Sequence, residues 1–416
     1  MSVFFFGIFG VYMYTENEVL EFVKEEDVKF VRLAFFALNG KQKNISIMAS
    51  ELPRAFKYGV SFDASSVTGF QTPDKSDMFL HPDPATLAVL PWRPSAGKVV
   101  RMFCDIKYPD GTPYEKDCRH LLKKAVQTAK NDFGVEMMFG SEIEFYLFKL
   151  DENGEPTKIP FDNAGYMDIA PEDKGENIRR DICFTLEQMG IMPEASHHEE
   201  GPGQNEIDFH YGNALLSADN TATFKWVVRT KAAANGLFAD FTPKPLPKQP
   251  GSGMHINMSC HSVDKNDKKD YMEQVLAGII KHVDEMTLFF NPTVNSYDRL
   301  GECKAPKYIS WSKENRSQLI RIPASRNERR IEVRSPDPKA NPYLAFTLLI
   351  YAALDGIKNN LVPPSAVDEN LFAADKKITS ALKILPDTIE EARRIAAKSD
   401  FIKETLGEEI LKAFLD

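Results

Sequence analysis

The sequence has 416 residues, which is more than one small domain needs and enough to bury a large core. Asp and Glu (60) outnumber Lys and Arg (51), the net charge is −9, and no run of five basic residues occurs. This balance argues against a nucleic-acid surface but leaves binding of a phosphorylated small molecule open. The five cysteines are scattered and never spaced CxxC, so we expect reduced thiols in a cytoplasmic protein, without disulfides or a Cys zinc site.

The first twelve residues, MSVFFFGIFGVY, form an atypical apolar extension. They lack a basic flank and are too short to span a bilayer, so we expect no membrane partner. An extra strand, a start codon assigned too early and a signal peptide are the alternative explanations. Met13 begins a more ordinary helix start, in which Thr15 and Glu18 have the spacing of a capping box.

The elements that follow predict a small mixed α/β domain over residues 1–105. Two β-like runs, VKFVRLAFFAL and QKNISIMA, are joined by Asn39-Gly40, which favours a hairpin. FDASSVTGF and TLAVLPW are further β-like segments. A helix over YEKDCRHLLKKAVQTAKNDFG, closed by Gly134, then opens a second domain that we place at residues 106–416.

In this second domain, strand patterns alternate with helical ones. EMMFGSEIEFYLFKL, NEIDFHYG and GSGMHINMS predict strands. Helices are expected near residues 175–189, 219–236 and 269–289. The tail from Pro386 to Asp416 predicts an amphipathic helix.

Acidic residues and one histidine stand at strand-like positions. Glu142 and Glu144 are two apart in an apolar run, so both carboxylates leave the same face and repel each other unless a cation lies between them. A solvated strand face is the alternative. Comparable positions occur near a Gly-Pro-Gly turn, in GSGMHINMS and in RRIEVRS; these are Glu199, Glu206, His255 and Glu332. Carboxylate and imidazole ligands without thiolates suit Mg²⁺ or Mn²⁺.

Arginines are concentrated in one region, where apolar residues separate them, as in SQLIRIP. Some of these side chains are therefore expected to point into a structured site. Carboxylates for a divalent metal and arginines for phosphate oxygens are typical of phosphoryl transfer, although no Walker A loop or GxGxxG is present. The arginines are Arg299, Arg316, Arg321, Arg326, Arg329, Arg330 and Arg334.

Over about residues 13–412, the sequence resembles the glutamine synthetase family, specifically its bacterial type I form. The matching motifs, in the family's order, are FDASSVTGF, GSEIEF, EASHHEEGPGQNEIDF, GSGMHINMS, NPTVNSYDRL, NRSQLIRIPASR and EVRSPDPKANPYLAF. The resemblance implies an α+β fold, with a small amino-terminal β-grasp domain and a large catalytic domain in which helices surround an antiparallel sheet. It also implies a carbon–nitrogen ligase reaction in which ATP phosphorylates the γ-carboxylate of glutamate and an amine then displaces phosphate.

The resemblance also assigns roles to individual residues. One metal site, for Mg²⁺ or Mn²⁺, would comprise Glu144, Glu199 and Glu206, and the other Glu142, His255 and Glu332, with two or three ions per active site. The adenine nucleotide would contact Glu194, Asn257, Ser259, Arg316, Arg321 and Arg330. Glutamate would be oriented by Gly251, Arg299 and Arg334, and Arg316 and Arg334 would also take part in catalysis.

Three positions around the acceptor pocket depart from the family pattern. Ala37 stands where a Phe-Thr-Asp hairpin supplies the aspartate that helps bind ammonium. Lys304 stands where the family's flap has a glutamate before Ala-Pro. This flap is also one residue shorter, so that Glu302 taking over the role is an alternative. Pro250 replaces an asparagine before GSGMH.

These departures predict a γ-glutamyl-amine ligase whose acceptor is not ammonia. A cation about 4 Å from a carboxylate gains about 4 kcal/mol at an effective dielectric constant of 20, and a lysine in its place reverses the sign. Lys304 would instead pair with an anionic group on a larger amine, and Phe36 with Ala37 would give that amine an apolar wall. An ordinary glutamine synthetase and a non-catalytic paralogue that binds ATP or glutamate are the alternatives.

The resemblance further implies ring-shaped homo-oligomers with active sites between neighbouring subunits. The family chain normally continues beyond the equivalent of Asp416 with a tail that helps join two hexameric rings, and that tail is missing here. The adenylylation loop of some relatives is missing too. We therefore expect a ring hexamer, with a dodecamer as the alternative.

Overall fold

The computed structural model describes residues 14–93, 96–325 and 329–415. The apolar extension, Met13 and Arg326 lie outside these residues. The chain divides into two compact units: the first ends at His120 and also takes in Gln188–Gly190, and the second contains the rest. A strand runs through residue 105, so the domain boundary there stays a prediction.

The first unit contains a mixed sheet of six strands in its described part, with β1 parallel to β6 and the other pairs antiparallel. The strand order is β2-β1-β6-β4-β3, and β5 pairs with β6. The elements are α1 (Glu16–Glu25), β1 (Val28–Phe36), β2 (Gln42–Met48), α2 (Leu52–Tyr58), β3 (Val60–Asp63), β4 (Asp77–Pro82), β5 (Ala88–Val89) and β6 (Lys98–Lys107).

Local signals explain where these elements begin and turn. The Thr15 N–H donates to Glu18 Oε2 at 2.8 Å and the Glu18 N–H to Thr15 Oγ1 at 3.4 Å, which confirms the capping box. The predicted hairpin is also confirmed, because β1 and β2 pair in antiparallel fashion around Gly40, whose φ of +74° favours glycine. The FDASSVTGF run is shorter as a strand than expected, since Asp63 accepts from the Ser65 N–H and starts a 3₁₀ turn.

The second unit is built on a sheet of ten strands among the described residues. Its path is β14-β15-β16-β13-β7-β10-β9, and β8, β11 and β12 also pair with β7. Only the β14–β15 pair is parallel among the described pairs of this sheet. The strands are β7 (Val135–Leu150), β8 (Pro156–Pro160), β9 (Pro193–His198), β10 (Gln204–Phe209), β11 (Gly212–Asn213), β12 (Leu237–Asp240), β13 (Met254–Ser262), β14 (Trp311–Lys313), β15 (Ile320–Ile322) and β16 (Ile331–Val333).

Helices cover this sheet and supply much of the core. Gly278 and Gly356 let α6 and α7 cross closely, because a Cβ on Gly278 would lie 2.0 Å from the carbonyl oxygen of Ala352. The helices are α3 (Cys118–Phe133), α4 (Glu176–Gln188), α5 (Ala214–Ala234), α6 (Met272–Phe290), α7 (Pro342–Lys358), α8 (Lys376–Thr379), α9 (Ile389–Lys398), α10 (Asp400–Leu406) and α11 (Glu408–Leu415).

The carboxyl-terminal tail differs from the single helix that the sequence predicts. It forms α9, α10 and α11 instead. Ser399 ends α9 and caps α10 by accepting from the Ile402 N–H at 3.0 Å. Gly407, with φ of +85°, ends α10. None of the helices in the described part of the chain is long and apolar enough to cross a membrane.

Candidate active site

Adjacent strands of the second unit bring several acidic side chains onto one face. Glu142 and Glu144 on β7 pair in register with Asp208 and Glu206 on β10. On the other side of β7, His255 of β13 pairs with Glu142. Directly opposed residues of neighbouring strands share a face, so the four carboxylates and the imidazole lie together.

The first cluster forms around His255. Its Nδ1 lies 3.5 Å from Glu142 Oε2 and 3.6 Å from Glu332 Oε1. Glu332 is fully buried and is held by Arg321 and by Arg334, whose Nε is 3.2 Å from Glu332 Oε1. The structure therefore brings together the three side chains that the family resemblance assigns to one metal ion.

The second cluster contains a histidine that the sequence interpretation omits. His197 Nε2 lies 3.0 Å from Glu199 Oε1 and 3.9 Å from Glu206 Oε1. Glu144, the third residue assigned to this metal ion, lies opposite Glu206 and accepts from the Gly253 N–H at 2.9 Å. Glu144 is also 3.9 Å from His255 Nε2, so it links the two clusters.

Electrostatics show that these acids are crowded. Burial, followed by the charges of Asp208 and Glu144, raises the pKa of Glu206 well above its usual range. Burial and the charge of Glu142 raise the pKa of Asp208 to about 7. Burial opposes the charge of Glu142, but its hydrogen bonds with His255 and Asn257 prevail and lower its pKa. The face thus carries more negative charge than its own cations balance, which is the condition that a bound cation relieves.

The donor set fits a hard divalent cation. Carboxylate oxygens and imidazole nitrogens converge in both clusters, and neither contains a thiolate. One carboxylate oxygen of Asp208 is buried beside them without a hydrogen-bond partner in the described structure. An oxygen in that state is available to a metal-bound water or to the ion itself.

The residues assigned to the nucleotide spread away from the carboxylates along β13 and the neighbouring segments. Asn257 donates to Glu142 Oε1 at 2.8 Å and accepts from Arg330 Nε at 2.8 Å. Ser259 hydrogen-bonds with His261, two residues further along β13. Glu194 on β9 and Arg316 are both exposed. Arg321, as described above, is committed to Glu332.

A cavity of about 460 Å³ opens beside the far end of β13. Ser259 contributes to its lining, and so do Lys265, Lys268, Lys269 and Arg329. The cavity does not include the carboxylate clusters, so it is a separate volume next to one end of the assigned nucleotide residues. The lining carries charges of both signs, because Asp264, Asp267 and Asp270 also contribute to it and Arg329 pairs with Asp270 at 2.6 Å.

The residues assigned to glutamate lie in a tightly packed segment. Arg299 is buried and donates to the carbonyl oxygens of Ser335, at 2.7 Å, and Arg334, at 3.2 Å. A Cβ on Gly251 would lie 2.5 Å from the carbonyl oxygen of Pro243 and 2.8 Å from Arg299 Cγ. Only glycine fits at position 251 without displacing backbone, which explains its place in the GSGMH motif.

The flap residue Lys304 forms an ion pair with Glu200. Glu200 directly follows Glu199, and its own N–H donates to Glu199 Oε2 at 2.9 Å. The flap therefore contacts the segment that carries a predicted metal ligand. Nearby, the Tyr166 ring packs edge-on against His197, with 5.4 Å between ring centroids. Glu302 is exposed and hydrogen-bonds through its backbone with Arg299.

The other two positions that depart from the family pattern are Ala37 and Pro250. Ala37 follows β1 in the first unit and is buried, and Phe36 packs against Phe103 at 5.1 Å between ring centroids. Both side chains are at least 96% buried, and the apolar acceptor wall expected from the sequence stays a prediction. Pro250 accepts a hydrogen bond from the Tyr146 hydroxyl through its carbonyl oxygen at 2.6 Å.

Sequence reasoning missed four residues at this site, and two of them had a usable signal. Asp208 follows Glu206 by two positions in NEIDF, the same alternation that identified Glu142 and Glu144. His197 precedes Glu199 by two positions on the strand that leads to the turn. The remaining two residues, Glu200 and Tyr166, lie in loops, where no periodicity marks a side chain as facing the site.

Comparison with known proteins agrees with this architecture. The family described as glutamine synthetase, beta-Grasp domain, matches residues 27–109, and the family described as glutamine synthetase, catalytic domain, matches residues 115–416. These matches confirm the expected fold class. Two solved structures, titled "GmaS/ADP complex-Conformation 1" and "Apo GmaS without ligand", each have a TM-score of 0.85, are 27% and 28% identical, and cover 95% of this chain and 93% of their own.

Curated relatives are similar over nearly the whole chain. Glutamine synthetase from Clostridium saccharobutylicum is 46% identical over 95% of this chain and 92% of its own. Glutamine synthetase from Methanosarcina mazei is 47% identical over 96% and 92%. Glutamine synthetase from Staphylococcus aureus is 44% identical over 97% and 93%. The chain therefore belongs to the glutamine synthetase family of ATP-dependent carbon–nitrogen ligases.

Proposed function

We propose that this protein is a γ-glutamyl-amine ligase, which activates glutamate with ATP and transfers the glutamyl group to an amine other than ammonia. The observation that carries the proposal is the ion pair between Lys304 and Glu200. It places a cation on the flap, at the position where the family resemblance calls for a carboxylate. The nearest flap carboxylate in sequence, Glu302, is exposed rather than turned onto Glu199.

The activating half of the site has a complete set of donors. Glu142, His255 and Glu332 would hold one ion and Glu144, Glu199 and Glu206 the other, with Mg²⁺ or Mn²⁺ in two or three positions. Bound there, such ions would neutralise charge on the ATP phosphates. Asn257, Ser259, Arg316, Arg321, Arg330 and Glu194 would hold the nucleotide. The GmaS structure titled as an ADP complex shares this fold, which supports nucleotide binding by the chain.

The reaction proceeds in two displacements. An oxygen of the glutamate γ-carboxylate attacks the γ-phosphorus of ATP, a P–O bond forms, and ADP leaves with the electrons of the broken bond. The amine nitrogen then attacks the carbonyl carbon of the γ-glutamyl phosphate, the C–O bond to phosphate breaks, inorganic phosphate leaves, and the nitrogen loses one proton to water. Arg299 and Arg334 would orient glutamate, and Arg316 and Arg334 would stabilise the charge that develops on the phosphoryl oxygens.

The ion pair also refines the choice of acceptor. Lys304 is already neutralised by Glu200, and its side chain is 64% exposed. An anionic group on the acceptor would have to replace Glu200 as the partner of Lys304. At position 304 the flap therefore offers ammonium a cation instead of a carboxylate, while a larger amine gains binding energy from the rest of its structure.

An ordinary glutamine synthetase is the second candidate function. It is favoured by the curated relatives at 44–47% identity, all of which bear that name. In that case Glu302, Glu200 or another carboxylate would supply the missing charge. Small movements of the exposed flap are the physical route to such a rearrangement.

A phosphate-release assay tests the proposal. Purified protein with ATP, Mg²⁺ and glutamate is assayed with ammonium and with a panel of amines that differ in size and charge. We expect glutamate-dependent turnover with at least one amine and weak turnover with ammonium. Robust ammonium-dependent turnover at low millimolar concentration would overturn the amine assignment and favour the second candidate.

We also propose that the protein assembles as a ring hexamer, because the family resemblance places active sites between neighbouring subunits. The small-molecule substrates are then glutamate, ATP and the amine. Stacking of two rings into a dodecamer is the alternative assembly.

A further inference from the structure

A second layer of polar side chains lies on the face of β9 and β10 that is opposite to the metal-ligand face. His197 pairs with Glu206 and His198 pairs with Asn205 across the two strands. Since side chains alternate along a strand, His197 and Glu206 point to one face, whereas His198 and Asn205 point to the other. The buried layer beneath the carboxylates is formed by Asp162, Asp173, Arg179, His198 and Asn205.

His198 connects the two ends of the turn between these strands. It is fully buried, and both ring nitrogens have partners: Nδ1 lies 2.6 Å from the carbonyl oxygen of Glu199 and Nε2 lies 2.9 Å from Asp162 Oδ1. Asp162 also accepts from the Gly203 N–H at 2.9 Å. The His198–Asp162 pair therefore fixes the backbone at Glu199 and, across the turn, at Gly203.

Arg179 fixes the neighbouring strand. It donates to Asn205 Oδ1 at 2.6 Å and to both oxygens of Asp173, at 3.2 and 2.5 Å. Asn205 in turn donates to the carbonyl oxygen of Gly203 at 3.0 Å. Because Asn205 directly precedes Glu206, this contact sets the position of β10 where that glutamate emerges.

The layer is not itself a metal site. Asp162, Asp173 and His198 have ligand atoms close enough to hold an ion, within 4.8 Å of one another. The guanidinium of Arg179, however, already occupies the oxygens of Asp173, and both nitrogens of His198 are engaged. The positive charge that balances the two aspartates is thus supplied by side chains.

We infer that His198, Asp162 and Arg179 are positioning residues that hold Glu199 and Glu206 in the geometry for binding a divalent cation. The inference rests on the metal roles proposed above for those two glutamates. The layer acts through the backbone of the β9–β10 turn, because its contacts are with the residues next to the glutamates rather than with their carboxylates.

Mn²⁺ titration calorimetry of the full chain, without nucleotide, tests this inference. Replacing partners of metal ligands typically weakens metal binding 10- to 100-fold. We expect His198→Asn to weaken Mn²⁺ binding at the Glu199–Glu206 cluster at least 10-fold, while binding at the Glu142–His255–Glu332 cluster stays within about 2-fold. Asp162→Asn, which keeps the side-chain volume, should give a smaller loss at the same cluster.

His282→Asn is the matched control. His282 is a buried histidine of the same unit, with Nδ1 2.9 Å from Glu285 and Nε2 3.0 Å from Asp355, and it touches neither cluster. We expect it to lower stability without a change in Mn²⁺ affinity. Equal Mn²⁺ affinities in folded Asp162→Asn, His282→Asn and the unmodified protein would overturn the inference, and this comparison remains available if His198→Asn does not fold.

Glu206→Gln separates this inference from the proposed function. If the unmodified protein and Glu206→Gln bind Mn²⁺ equally, the metal role of Glu206 is wrong and the positioning role fails with it. If Glu206→Gln loses binding but the His198 and Asp162 variants do not, the metal site stands and only the positioning role is overturned.

Discussion

Lys304 is the single side chain whose charge most affects the choice of acceptor. Its ammonium group faces Glu200, one residue after the predicted metal ligand Glu199. At the residue scale, the capture of ammonium therefore depends on the charge of one flap side chain.

Replacing the positive charge at position 304 with a negative one should restore the use of ammonium as the acceptor. We predict that Lys304→Glu combined with Glu200→Gln lowers the KM for ammonium at least 10-fold, because a carboxylate near 4 Å attracts the cation by about 4 kcal/mol at an effective dielectric constant of 20. Steady-state phosphate release with ammonium measures it. Lys304→Gln with Glu200→Gln is the matched control without the carboxylate, and equal KM values for the two double variants would contradict the prediction.

The glutamates of the metal-ligand face could be predicted from the sequence, but Asp208 beside them and their contacts with the flap were missed. Glu142 and Glu144 were identified because a strand repeats every two residues. The Lys304–Glu200 ion pair joins residues 104 positions apart, and no local pattern encodes such a contact. Family resemblance drew attention to Lys304 but not to its partner.

At the scale of elements, the close crossing of α6 and α7 depends on two glycines. A Cβ on Gly278 would lie 2.0 Å from the carbonyl oxygen of Ala352, and one on Gly356 would lie 1.9 Å from that of Gln274. We predict that Gly278→Ala lowers the free energy of unfolding by about 3 kcal/mol, since the helices must separate. Urea denaturation measures it, and Glu273→Ala on the exposed side of α6 should change stability by less than about 0.5 kcal/mol. Comparable losses for both variants would contradict the close-crossing argument.

The start of α3 should make stability depend on pH. Asp117 is buried and accepts from the N–H groups of Ile106 and Arg119, and burial, followed by the charge of Asp105, raises its pKa to about 6. Between about pH 4 and pH 6 the folded state keeps a proton that the unfolded state releases, so this group's contribution to stability falls as the pH rises through that window. Asp117→Asn removes the effect.

We predict that, relative to Asp117→Asn, the unmodified protein loses about 2 kcal/mol of unfolding free energy between pH 4 and pH 6.5. Urea denaturation of both proteins across this range measures the two unfolding free energies. Their difference removes the contribution of the other titrating groups, which are the same in both proteins. A difference that does not change with pH would show that Asp117 titrates normally.

Elements with strong periodicity were predicted well, and those without it were missed. The helices near 175–189 and 269–289 are confirmed as α4 and α6. Helix α7 was not predicted, because PYLAFTLLIYAALDGIK is apolar on almost every side and its buried residues follow no 3.6-residue stripe. The tail was predicted as one helix because periodicity continues across Ser399 and Gly407, where capping interrupts it.

At the scale of the whole molecule, the proposed assembly decides whether the site is complete. If active sites lie between subunits, the hairpin that carries Ala37 closes a neighbour's site, and a single chain has only part of one. We predict that size-exclusion chromatography with light scattering gives a mass near six times 47.0 kDa. A stable monomer with full activity would contradict the ring, and twelve copies would favour stacked rings.

We have proposed that this member of the glutamine synthetase family activates glutamate for an amine other than ammonia. The most direct measurement is a competition, in which ATP, Mg²⁺ and glutamate are incubated with equal concentrations of ammonium and the best amine of the panel, and the products are quantified by mass spectrometry. We predict that the γ-glutamyl amide exceeds glutamine at least 10-fold. Glutamine as the main product would show that ammonia is the acceptor.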